Sequence, residues 1–199
     1  FSIPAIIGMM VLGLYIVIGR IFVGRGVGAI AIAAVTVAQP IMTVLMAFSM
    51  LIGIGGTALI SIRLGQQKIE EAEEIAGNTT TLLILLPLLL SLVYFSYSET
   101  ILTMLGASEE VLPYAHQYTD IIMMGAVAGT LSPGLNNLIR AQGSPRYSMM
   151  TQIIGAVINI VFNYIFIFVA GLGIRGSAFA TILGQIVSLV WVLLFFFRG

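Results

Sequence analysis

Long apolar runs separated by short charged breaks fix the solvent of this chain. Only 8% of its 199 residues are charged, its mean hydropathy is +1.11, and nearly every Arg, Lys, Asp and Glu lies between the runs rather than in them. A helix that crosses a bilayer needs about 20 mostly apolar residues, and only helices and closed barrels satisfy their backbone groups in hydrocarbon. The sequence therefore predicts an all-α membrane protein with several crossings. Zero Cys rules out a disulfide frame, a thiol nucleophile and a thiolate metal site. Eight basic against eight acidic residues leave no basic surface for nucleic acid. The start Phe1-Ser2-Ile3-Pro4 lacks an initiator Met, a basic leader and a small-residue cleavage site, so Phe1 reads as a fragment boundary rather than a signal peptide.

Walking the runs predicts six spans, at 3–22, 27–62, 79–105, 111–139, 149–169 and 178–197, in one bundle without a soluble domain. The second run would reach roughly 54 Å as a helix, too long for one upright crossing. A split at Gly53-Ile54-Gly55-Gly56 would leave only a short apolar piece after it, so the run is read as one tilted or bent helix protruding from the membrane, with Pro40 as its kink. The stretch Gln66 to Ile75, with Glu70, Glu71, Glu73 and Glu74, reads as a solvated turn joining two spans; an amphipathic acidic helix that docks a partner is the alternative. Ten Met among the aliphatics read as core filler and lipid contact, or as an adaptable binding wall.

Alternate loops hold unequal positive charge. Arg63, Lys68, Arg140, Arg146 and Arg198 fall on one side, against Arg20, Arg25 and Arg175 on the other, which places both termini in the cytoplasm. Tyr94, Tyr97, Tyr114 and Tyr118 are expected to form an outer aromatic belt, and Tyr147, Trp191 and Phe195 to Phe197 an inner one.

Polar residues inside a bilayer each need a partner or a wet cavity, and here they form stripes. The fifth run carries Gln152, Asn159 and Asn163 on one face. The sixth carries Ser177, Thr181, Gln185 and Ser188 at helical steps; the second has Thr36, Gln39 and Thr43, the fourth Thr130, Ser132, Asn136 and Asn137, and the first Tyr15. Such stripes either line an internal polar pocket or hydrogen-bond helix to helix with no cavity. Small residues at Gly176, Ala180, Gly184 and Ser188, and at Gly125 and Gly129, predict close helix packing without chemistry. His116 and Asp120, four apart, read as an interfacial hydrogen-bonded pair, with a proton relay as the alternative.

The order of motifs carries a resemblance. Ser2-Ile3-Pro4, Leu14-Tyr15, Arg20-Ile21-Phe22-Val23-Gly24, Gly28-Ala29-Ile30-Ala31 and Ala38-Gln39-Pro40-Ile41 are similar to the start of multidrug and toxic compound extrusion (MATE) transporters. The likeness continues through Ile60-Ser61-Ile62-Arg63-Leu64-Gly65, Leu105-Gly106-Ala107-Ser108, Asn137 to Gly143, Gly155 to Ile160, Phe166-Ile167-Phe168 and Gly176 to Thr181. It spans essentially the whole chain, which resembles the amino-terminal six-helix lobe of a twelve-helix MATE-like transporter.

That resemblance implies cation-coupled export of amphipathic or cationic organic molecules, multidrug efflux across a cell (inner or plasma) membrane, by alternating access. The partners it implies are the lipid bilayer, a small organic substrate and a second six-helix lobe, supplied either by a missing carboxy-terminal half or by a homodimer. Na+ or H+ would be the coupling ion, and no other cofactor is implied. By position the family's coupling pocket falls on Tyr15, Gly19, Asn159, Asn163 and Thr181, with Pro4 at the helix-one kink; Gln39, Asn136 and Gln185 are candidates for the substrate cavity. Gly19 and Asn163 stand where the family carries acids, and Gln142 where it often carries Glu, so the pocket is weakened: an amide releases no proton near neutral pH, and a cation there lacks an opposite charge. A lipid-linked precursor flippase of the same superfamily and a non-transporting membrane module are the alternative readings. No metal cluster and no nucleophile with a paired base points to an enzyme.

Overall fold

The computed structural model describes residues 2–198, and among them the side chains other than those at 2–5, 7, 9, 12 and 198. Helix α1 runs over Ser2–Gly26, α2 over Ala29–Gly65, α3 over Ile69–Met104, α4 over Leu112–Met124, α5 over Ala126–Ala141, α6 over Pro145–Tyr164 and α7 over Gly173–Arg198. A π-helical turn at Ile165–Val169 prolongs α6. Among the described residues there is no strand. Four helices, α2, α3, α6 with its π turn, and α7, are each long and apolar enough to cross a membrane. Helices α4 and α5 follow one another through Gly125 alone. Large apolar side chains such as Leu51, Leu92 and Val190 lie on the outside, as a lipid-facing surface requires.

Two boundaries differ from the sequence reading, each for a local reason. Helix α3 begins at Ile69, ten residues before the expected span. The acidic stretch is neither a free turn nor a separate helix; it is the first turns of α3, where carboxylates complement the positive end of the helix dipole. Lys68 donates to Glu71 at 2.7 Å and Arg63 reaches the same carboxylate at 3.1 Å. The Lys68 hydrogen bond, with the charges of Lys68 and Arg63, holds the Glu71 carboxyl below its usual range. This fastening is therefore in place above the ordinary carboxylate pKa and is lost as pH falls through the lowered one.

The expected fourth span is broken at Gly125, whose φ of −91° and ψ of 5° leave the helical region. Helix α2 stays helical through both Pro40 and the glycine triplet, reaching about 55 Å over its 37 residues. The non-helical backbone inside a long helix falls instead at Tyr97 in α3 (φ −134°, ψ 24°).

Glycine at 53 and 56 serves packing rather than a break. A Cβ at Gly53 would stand 2.9 Å from the Cα and carbonyl oxygen of Gly134 on α5, and one at Gly56 would collide with Thr79 on α3. These residues let α2 lie against α3 and α5, its principal neighbours, while α1 packs mainly on α6 and α6 on α7. Two apolar clusters result. One gathers Val23, Ala34, Tyr94, Tyr118, Ile122, Ile167 and Ile174; the other gathers Ile60, Leu83, Leu135, Ile139 and Val192. Between them sits a three-helix hydrogen-bonded node. Pro87 has no N–H for the carbonyl of Leu83, and the Thr130 hydroxyl of α5 lies 3.1 Å from that oxygen, its one proton shared with the Ala126 carbonyl of its own helix at 3.0 Å. Ser49 of α2 in turn donates to the Thr130 carbonyl at 2.6 Å.

Tyr94 and Tyr118, expected in an outer belt, are core residues at 2% and 5% exposure. A Tyr inside a helix reaches inward when its hydroxyl finds a partner there. Tyr147, by contrast, stacks on Trp191 at 4.9 Å and donates to the Trp191 carbonyl at 2.8 Å, in the cluster expected at that end.

Gly53→Val should lower stability by about 1–3 kcal/mol through overpacking against α5. Gly55→Ala, where an added Cβ meets nothing within 4 Å, should raise it by up to about 1 kcal/mol, as Ala for Gly does inside a helix. Thermal unfolding of the purified variants in detergent reads both; equal melting of the two contradicts the close α2–α5 contact.

Candidate functional site

Polar side chains of α6 and α7 meet in a buried cluster close to the π turn. Asn159 is 4% exposed, Asn163 1% and Thr181 9%. The Asn159 side-chain amide donates to the Thr181 hydroxyl at 3.2 Å. The Asn163 amide donates to both the side-chain oxygen of Asn159, at 2.9 Å, and its backbone carbonyl, at 3.1 Å. Thr181 donates onward to the Ser177 carbonyl at 2.9 Å. These bonds follow from spacing: 159 and 163 lie one turn apart on α6, and 177 and 181 one turn apart on α7. Gly155 and Gly184 bring the two helices together, since a Cβ at Gly184 would approach the Gly155 carbonyl to 2.8 Å.

One acceptor is left over. The Asn163 side-chain oxygen is buried and accepts no hydrogen bond within the chain. Its orientation is set by the two bonds its NH2 donates, so a flip of the amide would only exchange one unmet group for others. All the cluster's side chains are neutral. The chain's eight acids lie at Glu70, Glu71, Glu73, Glu74, Glu99, Glu109, Glu110 and Asp120, none of them in this group. Among the described residues, no three His, Asp or Glu side chains are placed to hold a metal ion.

The remaining positions singled out from sequence fall in several places. Tyr15 is half-buried on α1, and the buried Tyr118 of α4 neighbours both Tyr15 and Thr181, its hydroxyl lying 4.0 Å from the Met42 sulfur. Tyr118 thus joins the cluster's surroundings although the sequence read it as an interfacial anchor. Gly19 faces open space, with nothing within 4 Å of an added Cβ. Pro4 lies in α1, and its side chain is outside the described residues.

Gln39, Asn136 and Gln185 do not converge on the cluster. Gln39 is exposed on α2 beside Thr36 and Thr43, whose hydroxyls are spent on their own helix's carbonyls at 2.8 and 2.9 Å. Asn136, 4% exposed, donates to the Ser148 carbonyl at 3.3 Å near the 141–144 turn. Gln185 lies against Gly129 between α7 and α5. His116 and Asp120 form a separate contact, with the imidazole Nδ1 at 3.5 Å from the Asp120 carboxylate and the Tyr94 hydroxyl donating to the same oxygen at 2.7 Å. The π turn was not legible either, because Ile165-Phe166-Ile167-Phe168 continues the apolar pattern of α6 without interruption. Such turns recur at functional sites.

Comparison with known proteins bears on the fold that holds these residues. The family model described as MatE matches residues 4–165. A multidrug export protein, MepA, of Staphylococcus haemolyticus is 28% identical over 198 residues, covering 100% of this chain and 44% of its own length. A solved MATE multidrug transporter, DinF-BH, superposes with a TM-score of 0.94 at 36% identity, covering 100% of this chain and 44% of that one. A MOP superfamily transporter from Pyrococcus furiosus gives 0.91 at 28% identity over 98% of this chain and 43% of its own. The chain thus spans somewhat less than half the length of the relatives it matches.

Asn159→Ala removes the acceptor of one bond and the donor of another, and should cost about 1–3 kcal/mol, as unmet buried polar groups do. Thr36→Ala, on the exposed flank of α2, should stay within ~0.5 kcal/mol. Equal melting temperatures for the two variants contradict the cluster.

Proposed function

The chain belongs to the MatE family, and from that membership we propose that it works as the amino-terminal six-helix half of a membrane transporter. This transporter exports amphipathic or cationic organic molecules by alternating access against a second six-helix lobe. The observation that carries the reading is the buried Asn159–Asn163–Thr181 cluster with its unpaired Asn163 oxygen, set inside a lobe whose fold is that of solved multidrug transporters. The second lobe is a carboxy-terminal counterpart or a second copy of this chain, and the exposed stripe Thr36, Gln39 and Thr43 on α2 is the surface turned towards it. A polar stripe that faced acyl chains on an isolated helix would be costly; facing a wet cleft between lobes, it is not. The localisation that follows is a cell membrane, with both termini in the cytoplasm by the distribution of Arg and Lys.

The donor set decides how coupling works here. Asn163 and Thr181 offer neutral oxygens of the kind that ligate Na+ in transporters, and the buried Asn163 oxygen, which accepts no hydrogen bond from the chain, supports that reading. A proton has no resting place among amides and hydroxyls near neutral pH. The cluster therefore fits a weakly held Na+ and does not fit a proton. Without a carboxylate, the desolvation of that cation goes without an opposite charge. The same lack of carboxylates is the one feature that favours a non-transporting module.

Gly19→Asp combined with Asn163→Asp adds one carboxylate to this cluster and a second on α1, where position 19 has room for a side chain. The double variant should gain stability with Na+ by RT ln(1 + [Na+]/Kd), about 2.7 kcal/mol at a hundredfold excess over Kd, and the unaltered chain far less. No Na+-dependent shift in melting in the double variant sinks the cation site. Transport itself is tested in proteoliposomes that hold the chain together with its second lobe: movement of a cationic dye driven by an imposed Na+ gradient supports it, and a dye flux from that assembly equal to that of empty vesicles favours the non-transporting module.

A further inference from the structure

Two of the turns between helices carry opposite charge. Around the α2–α3 turn, Arg63 and Lys68 stand with Glu70, Glu71, Glu73 and Glu74, and the Glu71 carboxylate takes up both cations. Around the α5–α6 turn, Arg140 and Arg146 stand with no acid at all, and residues 121–199 hold none. Among the described residues neither Arg has a carboxylate within ion-pair distance, since the pairs that form are those of Glu71 and Asp120. The turn between them is closed rather than loose. The Ser144 N–H donates to the Ile139 carbonyl and the Gly143 N–H to the Arg140 carbonyl, each at 3.2 Å, with Gly143 at a φ of +82° that suits glycine.

The two cations flank the start of α6. Arg140 is half-buried, its guanidinium 3.5 Å from the Ser148 hydroxyl. Arg146 is exposed, and Met150, Val157 and Val161 follow it along the same face of α6 at steps of four, seven and four, with exposures of 40%, 51% and 47%. The apolar part of that face runs roughly 16 Å, about the depth of one leaflet of hydrocarbon. Tyr147, next to Arg146, stacks on Trp191 at 4.9 Å and lies 4.8 Å from the Phe195 ring, an aromatic group of the kind that settles at headgroup depth. Cation, aromatic ledge and apolar face thus follow one another in the order of a phospholipid's phosphate, glycerol and acyl chain.

We propose that the α5–α6 corner binds an anionic phospholipid, its phosphate drawn to Arg146 with the charge of Arg140 added from across the turn, and an acyl chain laid along Met150, Val157 and Val161. The planar guanidinium fork meets two phosphate oxygens at once, and no carboxylate of the chain competes for it. The α2–α3 turn, with four acids against two cations, offers no such place. The lipid site stands whether or not Na+ visits Asn163.

Trp191 is the chain's one Trp, and its place against Tyr147 makes it a reporter of this corner. The purified chain in micelles is titrated with phosphatidylglycerol or phosphatidylcholine carrying brominated acyl chains, which quench a nearby indole. Phosphatidylglycerol should reach half-quenching at a mole fraction about tenfold lower or less, because each basic residue at a membrane surface favours anionic lipid by about fivefold. Arg146→Gln should cut that preference about fivefold. Arg175→Gln, exposed at the other end of α7, should leave it. Should Arg146→Gln not fold, Arg140→Gln is read in the same way, and the two lipids on the unaltered chain decide by themselves. Equal quenching by both lipids overturns the proposal, as does a preference that Arg146→Gln and Arg175→Gln lower alike. Inorganic phosphate, at an ionic strength matched with chloride, should leave the preference in place; its abolition assigns the corner to the free anion and overturns the lipid site.

Discussion

Hydrocarbon offers no hydrogen bonds, so every polar group that enters the bilayer with this chain must be met by another part of the chain or by water that the chain admits. That constraint explains the fold's internal wiring better than apolar packing does, because lipid tails compete with side chains for apolar contact. Where Pro87 frees a carbonyl, Thr130 answers it, and Ser49 answers Thr130. Where α6 brings two asparagines inward, Thr181 and the helix's own carbonyls take up their donors. Glycines then set how near the helices come, closest at Gly53 against Gly134 and at Gly155 against Gly184.

Much of this was legible in the sequence, and the limits have physical causes. Apolar runs locate the crossings because hydropathy integrates over 20 residues and tolerates local error. Ends are another matter: α3 starts at Ile69 because acidic residues suit a helix N-terminus as well as they suit water, so charge alone could not separate span from loop. Glycines are ambiguous in the same way. Gly53, Gly55 and Gly56 offer a place to split the run, yet the helix continues through them, since lipid cannot satisfy freed backbone groups, and the missing side chains at 53 and 56 are used for contact. Gly125 does break its helix, and nothing in its immediate neighbours announces the difference.

The candidate site shows the same division. Steps of four put Asn159 with Asn163 on one face of α6 and Ser177 with Thr181 on one face of α7, whereas only the family resemblance joined the two stripes in one pocket. Partners on other helices carry no such signal. Tyr118 was placed at an interface because tyrosine favours that depth, whereas tertiary contact with Thr181 and Met42 draws it inside. Gln39, Asn136 and Gln185 were grouped by polarity, and polarity does not say which neighbour a helix face meets. Ser148 went unnoticed since a lone serine on a membrane helix most often bonds its own backbone.

The claim beneath the rest is that α6 and α7 share a buried polar interior rather than merely touching. A double-mutant cycle of Asn159→Ala and Thr181→Val, followed by reversible unfolding in mixed micelles, measures that sharing as a coupling energy. A coupling of about 0.6 kcal/mol or more, up to about 1.7, is expected for a hydrogen bond between membrane helices. Losses that add within ~0.3 kcal/mol would contradict it, since independent sites are additive to that degree.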